Sequence, residues 1–356
     1  MMINGLPGPG YSLWNNCILA AKVILLFLVS RMKAIQKGAY WGFLILGLFL
    51  FYLAFRNVPF DELKEEIATV RPIYLLLLLI PSWGGQFLRS WRWQLLLGRQ
   101  VRFASIYHSL LFGYFVNLAV PRLGEITRCA SLESLGGPSF GKNLGTVVME
   151  RATDLLFLVF VSIMAFFFQN EALRNWMDIE LLQPIDNRLK ESYFGIVAGL
   201  FVALIILIAV YRVYLIIEEN INEGLRKIIH QVKEGLASLL KLNASTLLLF
   251  FFLSVAIWTC YFFTTWLWFQ ALPAASGASL GMAFTVMVVG SLVKTLPIQG
   301  GGMGAYHAVI GGLLGLYGLG ALSSTTFALL NHGYQTIFYL LFGGFSAIWI
   351  AWKKKK

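Results

Sequence analysis

Long apolar runs, separated by short polar connections, dominate the chain. Six stretches are expected to span a membrane: residues 39–55, 73–97, 144–168, 193–217, 246–269 and 324–352. Each is close to or longer than the ~20 apolar residues that cross a bilayer core of about 30 Å as a helix. Aromatic residues near several ends (Tyr40, Trp41, Trp91, Trp93, Trp349 and Trp352) suit either interfacial belts or the core. An earlier stretch, 17–30, is shorter and is interrupted by Lys22. It reads as a signal-like segment, or as sequence ahead of a translation start at Met32, from which a basic start leads directly into an apolar helix.

Two regions have a different pattern. Residues 106–135 contain GYFVNLAVPRLGEITRCASL, and residues 280–319 contain GSLVKTLPIQGGGMGAYHAVIGGLL. Each has an apolar arm, a proline, a glycine-bearing break and a second arm. The second arm of the first region carries Arg122, Glu125, Arg128 and Glu133, which is too polar and too short for a lipid-facing span. Irregular backbone at membrane depth survives only where protein or a water-filled cavity covers it. The first region is therefore predicted to be a re-entrant hairpin, and the second either a hairpin or two short spans. Gly113 and Gly290, Asn117 and Lys294, and Pro121 and Pro297 recur in the same order at a near-constant offset. That repeat makes residues 73–168 one half and 246–352 the other, in opposite orientation, an arrangement found in transporters.

The connecting segments differ among themselves. In 218–242, Ile221, Leu225, Ile228, Val232, Leu236 and Leu239 recur at helical spacing. The pattern fits an amphipathic helix lying on the bilayer surface, or a connector helix packed on the bundle. Residues 60–70 form a shorter element of the same kind, and 169–191 an acidic loop.

Composition agrees with this layout. The apolar set reaches 58%, while charged residues are 13%, about half of the ~25% typical of soluble domains. A net charge of +11 would suggest nucleic acid in a soluble protein. With both termini inside, most of the Lys and Arg fall on the inner side and in the hairpin, and the outer loops are slightly acidic, as membrane topology requires. Cys17, Cys129 and Cys260 are scattered, and His108, His230, His307 and His332 form no zinc-binding pattern. No metal or cofactor is expected.

Ionisable residues at membrane depth mark pathways or pairs. Arg89 and Arg92 end the second span, Arg122, Glu125 and Arg128 lie in the hairpin, Glu150, Arg151 and Asp154 open the third span, and Lys294 precedes the second break. Glu125 and Arg128, like Arg151 and Asp154, share a helix face. A buried network linking Glu125, Arg151, Glu150 and Arg122 is expected. It either locks the hairpin against the third span or offers its arginines to a phosphate, which Arg binds in bidentate fashion. Gly124 and the Gly300–Gly302 run would let backbone N–H groups approach a ligand. Asn117, Gln299 and Thr127 are helix–helix hydrogen bonders by type, and His307 and His332 are either core residues or headgroup and proton contacts.

The strings RSWRWQLLL, NLAVPRLGEITR, MERATDLL and LPIQGGGMGAYH resemble the transmembrane region of lysylphosphatidylglycerol synthases, the flippase-like membrane proteins. The resemblance spans residues 39–350. A family residue that is often acidic, just after the second break, is here replaced by Tyr306 and His307. No synthase domain follows Trp352, so the chain is not expected to make lysyl-lipid.

The resemblance and the residues together imply an all-α polytopic membrane protein with six to eight transmembrane helices, in two inverted repeats with broken re-entrant elements. A single flippase-like domain covers 39–352 and a basic tail 353–356. The expected function is translocation of a phospholipid or other lipid-linked anionic headgroup across a bacterial inner membrane. The alternatives are an enzyme acting on polyprenyl-phosphate or phospholipid headgroups, and a non-transporting scaffold. No catalytic motif supports the enzyme. The expected partners are the lipid itself and a second copy of the chain or a lipid-modifying enzyme; nucleic acid is not among them. The candidate headgroup site is Arg122, Glu125, Arg128, Glu150, Arg151, Asp154, Asn117, Lys294, Gly301 and His307.

Overall fold

The computed structural model describes residues 59–98, 100–167, 223–296, 298 and 302–354, with Leu48, Phe49, Phe51, Tyr52 and Arg56. The predicted spans at 39–55 (beyond those few residues) and 193–217, the segment before residue 39, the loop 169–191, and Pro297, Gln299, Gly300 and Gly301 lie outside them. Everything described belongs to one unit, Gly47–Lys356.

The described residues are helical, with no strand among them. A short helix α1 (Phe60–Ala68) leads into α2 (Pro72–Leu97), bent from it by 80°. Pro72 begins α2, where its missing N–H costs nothing. Then come α3 (Phe103–Ala119), α4 (Leu123–Ser134) and α5 (Phe140–Phe167). An amphipathic helix α6 (Glu223–Leu236) precedes the second series: α7 (Ala244–Ala271), α8 (Leu280–Lys294), α9 (Ala305–Leu316) and α10 (Ala321–Phe338). A π-helical turn, Tyr339–Gly343, joins α10 to α11 (Gly344–Lys354). By length and composition, Ala244–Ala271 and Ala321–Lys354 can cross a membrane, as can α1 and α2 taken as one bent span. This is an all-α membrane protein.

The two series share one order: a long helix, a broken pair, a long helix. In the first, α3 and α4 fold back on each other; in the second, α8 and α9 do. The second region is thus two short arms rather than two full spans, since its helices have 15 and 12 residues and a span needs about 20. Repeat-related glycines mark both contacts. A Cβ on Gly113 would stand 2.8 Å from the Gly124 carbonyl oxygen, and one on Gly290 would stand 2.9 Å from the Tyr306 ring. The long helices α2 and α7 pack along each other, with Gly84 and Gly85 facing Cys260.

One element differs from expectation. The third span starts at Phe140, so Glu150, Arg151 and Asp154 sit well inside α5 rather than opening it. Of the two arrangements expected for the amphipathic helix α6, the structure has the one packed on the bundle, against α5. Gly145 and Gly235 meet there with Cα to added-Cβ separations of 2.8 and 2.7 Å, a crossing open only to glycine.

Candidate functional site

The site grows from α2. Gln86, Arg89 and Arg92 follow one another at three-residue spacing on its buried side, with Trp93 four residues after Arg89. Arg89 Nη1 and Arg92 Nη2 approach Glu150 Oε1 at 3.2 and 3.3 Å, and their guanidinium groups reach Asp154 Oδ2 and Oδ1 at 2.6 Å each. Arg128, from α4, comes within 3.1 Å of Glu150 Oε2. Its guanidinium also lies 4.7 Å from the Trp93 ring centroid, and the indole N–H donates to Thr146 at 2.9 Å. Arg92 donates onward to Ser254 of α7 at 2.9 Å. Glu150 and Arg92 have no exposed surface. Three arginines on two carboxylates make a buried knot that ties α2, α4, α5 and α7 together. Such ions persist inside a bilayer only by neutralising one another.

A second pair lies beside the knot. Arg151 Nη2 meets Glu125 Oε1 at 2.9 Å, with 37% of the Arg151 side chain exposed. Asn117 holds the break in place: its Oδ1 accepts from the Gly124 N–H at 2.6 Å at the start of α4, and its Nδ2 donates to Glu125 at 3.3 Å. Arg122 is the single non-glycine residue with positive φ among those described, at 67°, a left-handed backbone that costs roughly 1–3 kcal/mol. Its guanidinium reaches across to donate to the Thr295 carbonyl at the end of α8, which links the two breaks.

These groups open onto a cavity of about 600 Å³ between the two series of helices. Its wall includes Gln86, Arg89, Tyr114, Asn117, Arg122, Glu125, Arg151 and Asp154 from the first series. The second series contributes Trp258, Tyr261, Lys294, Tyr306, His332, Gln335 and Tyr339. Tyr339, the first residue of the π-helical turn, stacks on Tyr114 with ring centroids 4.7 Å apart. Four cations (Arg89, Arg122, Arg151, Lys294) therefore face the cavity against two carboxylates (Glu125, Asp154), both already held by arginine. The volume suits a headgroup, since ligand pockets run to about 300–1,000 Å³.

The candidate residues from the sequence divide accordingly. Asn117, Arg122, Glu125, Arg151, Asp154 and Lys294 line the cavity. Arg128 and Glu150 lie behind it in the knot. His307 is buried beside His332, with ring centroids 5.1 Å apart and its Nδ1 accepting from the Gly304 N–H at 3.3 Å. Gly301 lies outside the described residues. The network differs from the one expected. Arg89 and Arg92 take the place assigned to Arg122, which reaches Thr295 instead. Both arginines stood among the ionisable residues at membrane depth, and their i,i+3 spacing in RSWRW was the available signal that they act together. Tyr114, Tyr261, Tyr339 and Gln335, ordinary aromatics and amides in sequence, gain meaning only where the two series meet.

No curated protein and no solved structure matches the chain. The family model described as "Lysylphosphatidylglycerol synthase TM region" matches residues 40–343, a range that holds the knot, both broken pairs and the whole cavity wall. The chain belongs to that family of membrane proteins.

Proposed function

We propose that the protein passes the anionic headgroup of a phospholipid, or of another lipid-linked phosphate, between the leaflets of a bacterial cytoplasmic membrane, with both termini inside. Membership of a lipid-handling membrane family gives the coarse frame. The observation that carries the reading is the cavity wall, whose cations outnumber carboxylates that are already paired. A phosphate entering from the bilayer meets Arg151 and Arg122, the two wall arginines outside the knot. Arg122 exchanges the Thr295 carbonyl for a phosphate oxygen, a stronger, charge-assisted acceptor. That exchange separates the two breaks and lets the two halves move apart on one side. The acyl tails stay in lipid, so only the headgroup needs shelter. Glu125 and Asp154 hold their arginines in place and keep the net field moderate, which allows release. Translocation rather than catalysis is the proposed role.

Reconstitution of the full chain in vesicles with fluorescent phospholipids tests this. Leaflet exchange is expected above that of protein-free vesicles. It should fall about tenfold in Arg151→Ala and in Arg122→Ala, the worth of one charge-assisted contact. Folding is checked by monodisperse elution in detergent. Exchange unchanged in the double variant sinks the proposal. Chemical conversion of the lipid without exchange supports the enzyme reading instead.

A further inference from the structure

Lys294 ends α8 and faces the cavity with no carboxylate in ion-pair reach among the described residues. Its Nζ donates to Gln335 Oε1 at 2.5 Å. An ammonium has only donors, so the Gln335 amide must present its oxygen to it. Its nitrogen then donates to Asn331 Oδ1 at 3.2 Å, and the Asn331 nitrogen donates to the Tyr306 hydroxyl at 2.9 Å. The cation at the head of the chain thus fixes the orientation of both amides, which distance alone would leave open. The Tyr306 hydroxyl already accepts, so its proton remains to be given. Lys294 Nζ also lies 4.7 Å from the Tyr306 ring centroid, which brings the two ends of the chain together. Both ends are donors. Asn331 and Tyr306 are 1% and 2% exposed, so water satisfies them poorly.

Three tyrosines on the wall also keep a donor for a ligand. Tyr114 and Tyr261 hydroxyls accept from Arg89 at 2.9 and 2.5 Å, and the Tyr339 hydroxyl accepts from Gln86 at 3.2 Å. Each therefore keeps a proton to donate. The wall carboxylates are turned the other way: both Asp154 oxygens take arginine, and the Glu125 oxygens take Arg151 and Asn117. Gln86 Oε1 is a neutral acceptor without a partner, but a headgroup that carries its own ammonium meets four wall cations and no carboxylate that is free of arginine.

We propose that the cavity selects a phosphate headgroup without an ammonium group, and that Lys294, Gln335, Asn331 and Tyr306 form the subsite that enforces the choice. The inference rests on the proposed function and names the substrate class of the same cavity. The phosphate of any such lipid can match these donors, but an added ammonium is desolvated among like charges with no ionic partner, which is costly.

The test is competitive binding to the full chain in detergent, read by native mass spectrometry. Phosphatidylglycerol, phosphatidylcholine and lysylphosphatidylglycerol are offered in equal amounts. The expected result is a preference of about tenfold or more for phosphatidylglycerol over the other two. Lys294→Met should abolish the preference and Lys294→Arg should keep it. Tyr306→Phe, which retains the ring but not the proton, should reduce it about threefold; it carries the test if Lys294→Met does not fold. Equal retention of the three lipids by the wild type overturns the inference. So does a preference that persists in both Lys294→Met and Tyr306→Phe. Selective binding without leaflet exchange leaves this subsite standing and sinks translocation, whereas retention of no lipid overturns both.

Discussion

The two broken pairs occupy equivalent places in the sequence and are built on opposite principles. The first, α3 and α4, is fixed by charge: Arg128 reaches the knot, Glu125 pairs with Arg151, and Asn117 caps the start of α4. The second, α8 and α9, is fixed by packing and neutral hydrogen bonds: Tyr306 beside Gly290, Asn331 on Tyr306, and His307 against His332. Its one cavity-facing cation, Lys294, has no counter-ion among the described residues. The difference separates structural charge from available charge. In the first pair most ions are spent on one another, while in the second the ion is left over for a ligand.

Removing a member of the knot should break this contrast most visibly. Glu150→Ala leaves Arg128 without its carboxylate in the interior and Arg89 and Arg92 sharing Asp154 alone. The expected loss is about 3–5 kcal/mol, the usual cost of breaking a buried pair from one side. Thermal unfolding in detergent should show a large fall in melting temperature or no folded protein. Lys294→Met removes a buried charge with no ionic partner and should leave stability unchanged or raise it. Similar losses in the two variants would mean that Lys294 also has a structural role.

The glycines sharpen the comparison at a smaller scale. A Cβ on Gly124 would stand 2.1 Å from the Gly113 carbonyl oxygen and 2.6 Å from Asn117 Oδ1, and backbone cannot step aside. On Gly290 the obstacle is the Tyr306 ring, a side chain that can tilt. Gly124→Ala should therefore cost about 3 kcal/mol and Gly290→Ala about 1 kcal/mol, the two ends of the overpacking range. Gly290→Ala displaces Tyr306 and should weaken the lipid preference while the melting temperature barely moves. The reverse order of stabilities would show that the second pair, not the first, is the rigid one.

Much of this was legible in the sequence, for a physical reason. Spans and breaks follow from hydrophobic length and from Gly and Pro, local properties that survive without neighbours. Four of the predicted spans match helices in place, at α2, α5, α7 and the α10–α11 stretch, and both breaks fall where expected. Membership of a charged residue in the site was also legible, because an ion at depth must be paired or used. Who pairs with whom was not. Arg89 reaches α5 across 61 positions of chain and Tyr114 only 25, contacts set by packing of whole helices. The excess of donors and cations on the wall was hidden more deeply still. It depends on which face each tyrosine hydroxyl turns to its partner, and residue type does not encode that.

The smallest effect concerns how the halves are joined. The α2–α7 contact is long, closed by small residues at Gly84 and Gly85 and tied by Arg92 to Ser254 and Arg89 to Tyr261, and suits a pivot that persists through any movement. Polar ties away from that contact have to be made and broken instead. One is Arg122 to Thr295. Another lies away from the cavity, where Glu66 of α1 accepts from Ser323 at 2.5 Å and from Thr326, both in the first turns of α10. A carboxylate beside the exposed N–H groups of a helix start is favourable, so this clasp resists separation of α1 from α10. Thr326→Val keeps the shape of a fully buried side chain and deletes one donor. It should cost about 1 kcal/mol in stability. If opening at that end limits the cycle, leaflet exchange should rise rather than fall, by up to about fivefold. Exchange that falls in step with stability would place the clasp in the fixed frame, leaving Arg122 as the tie that moves.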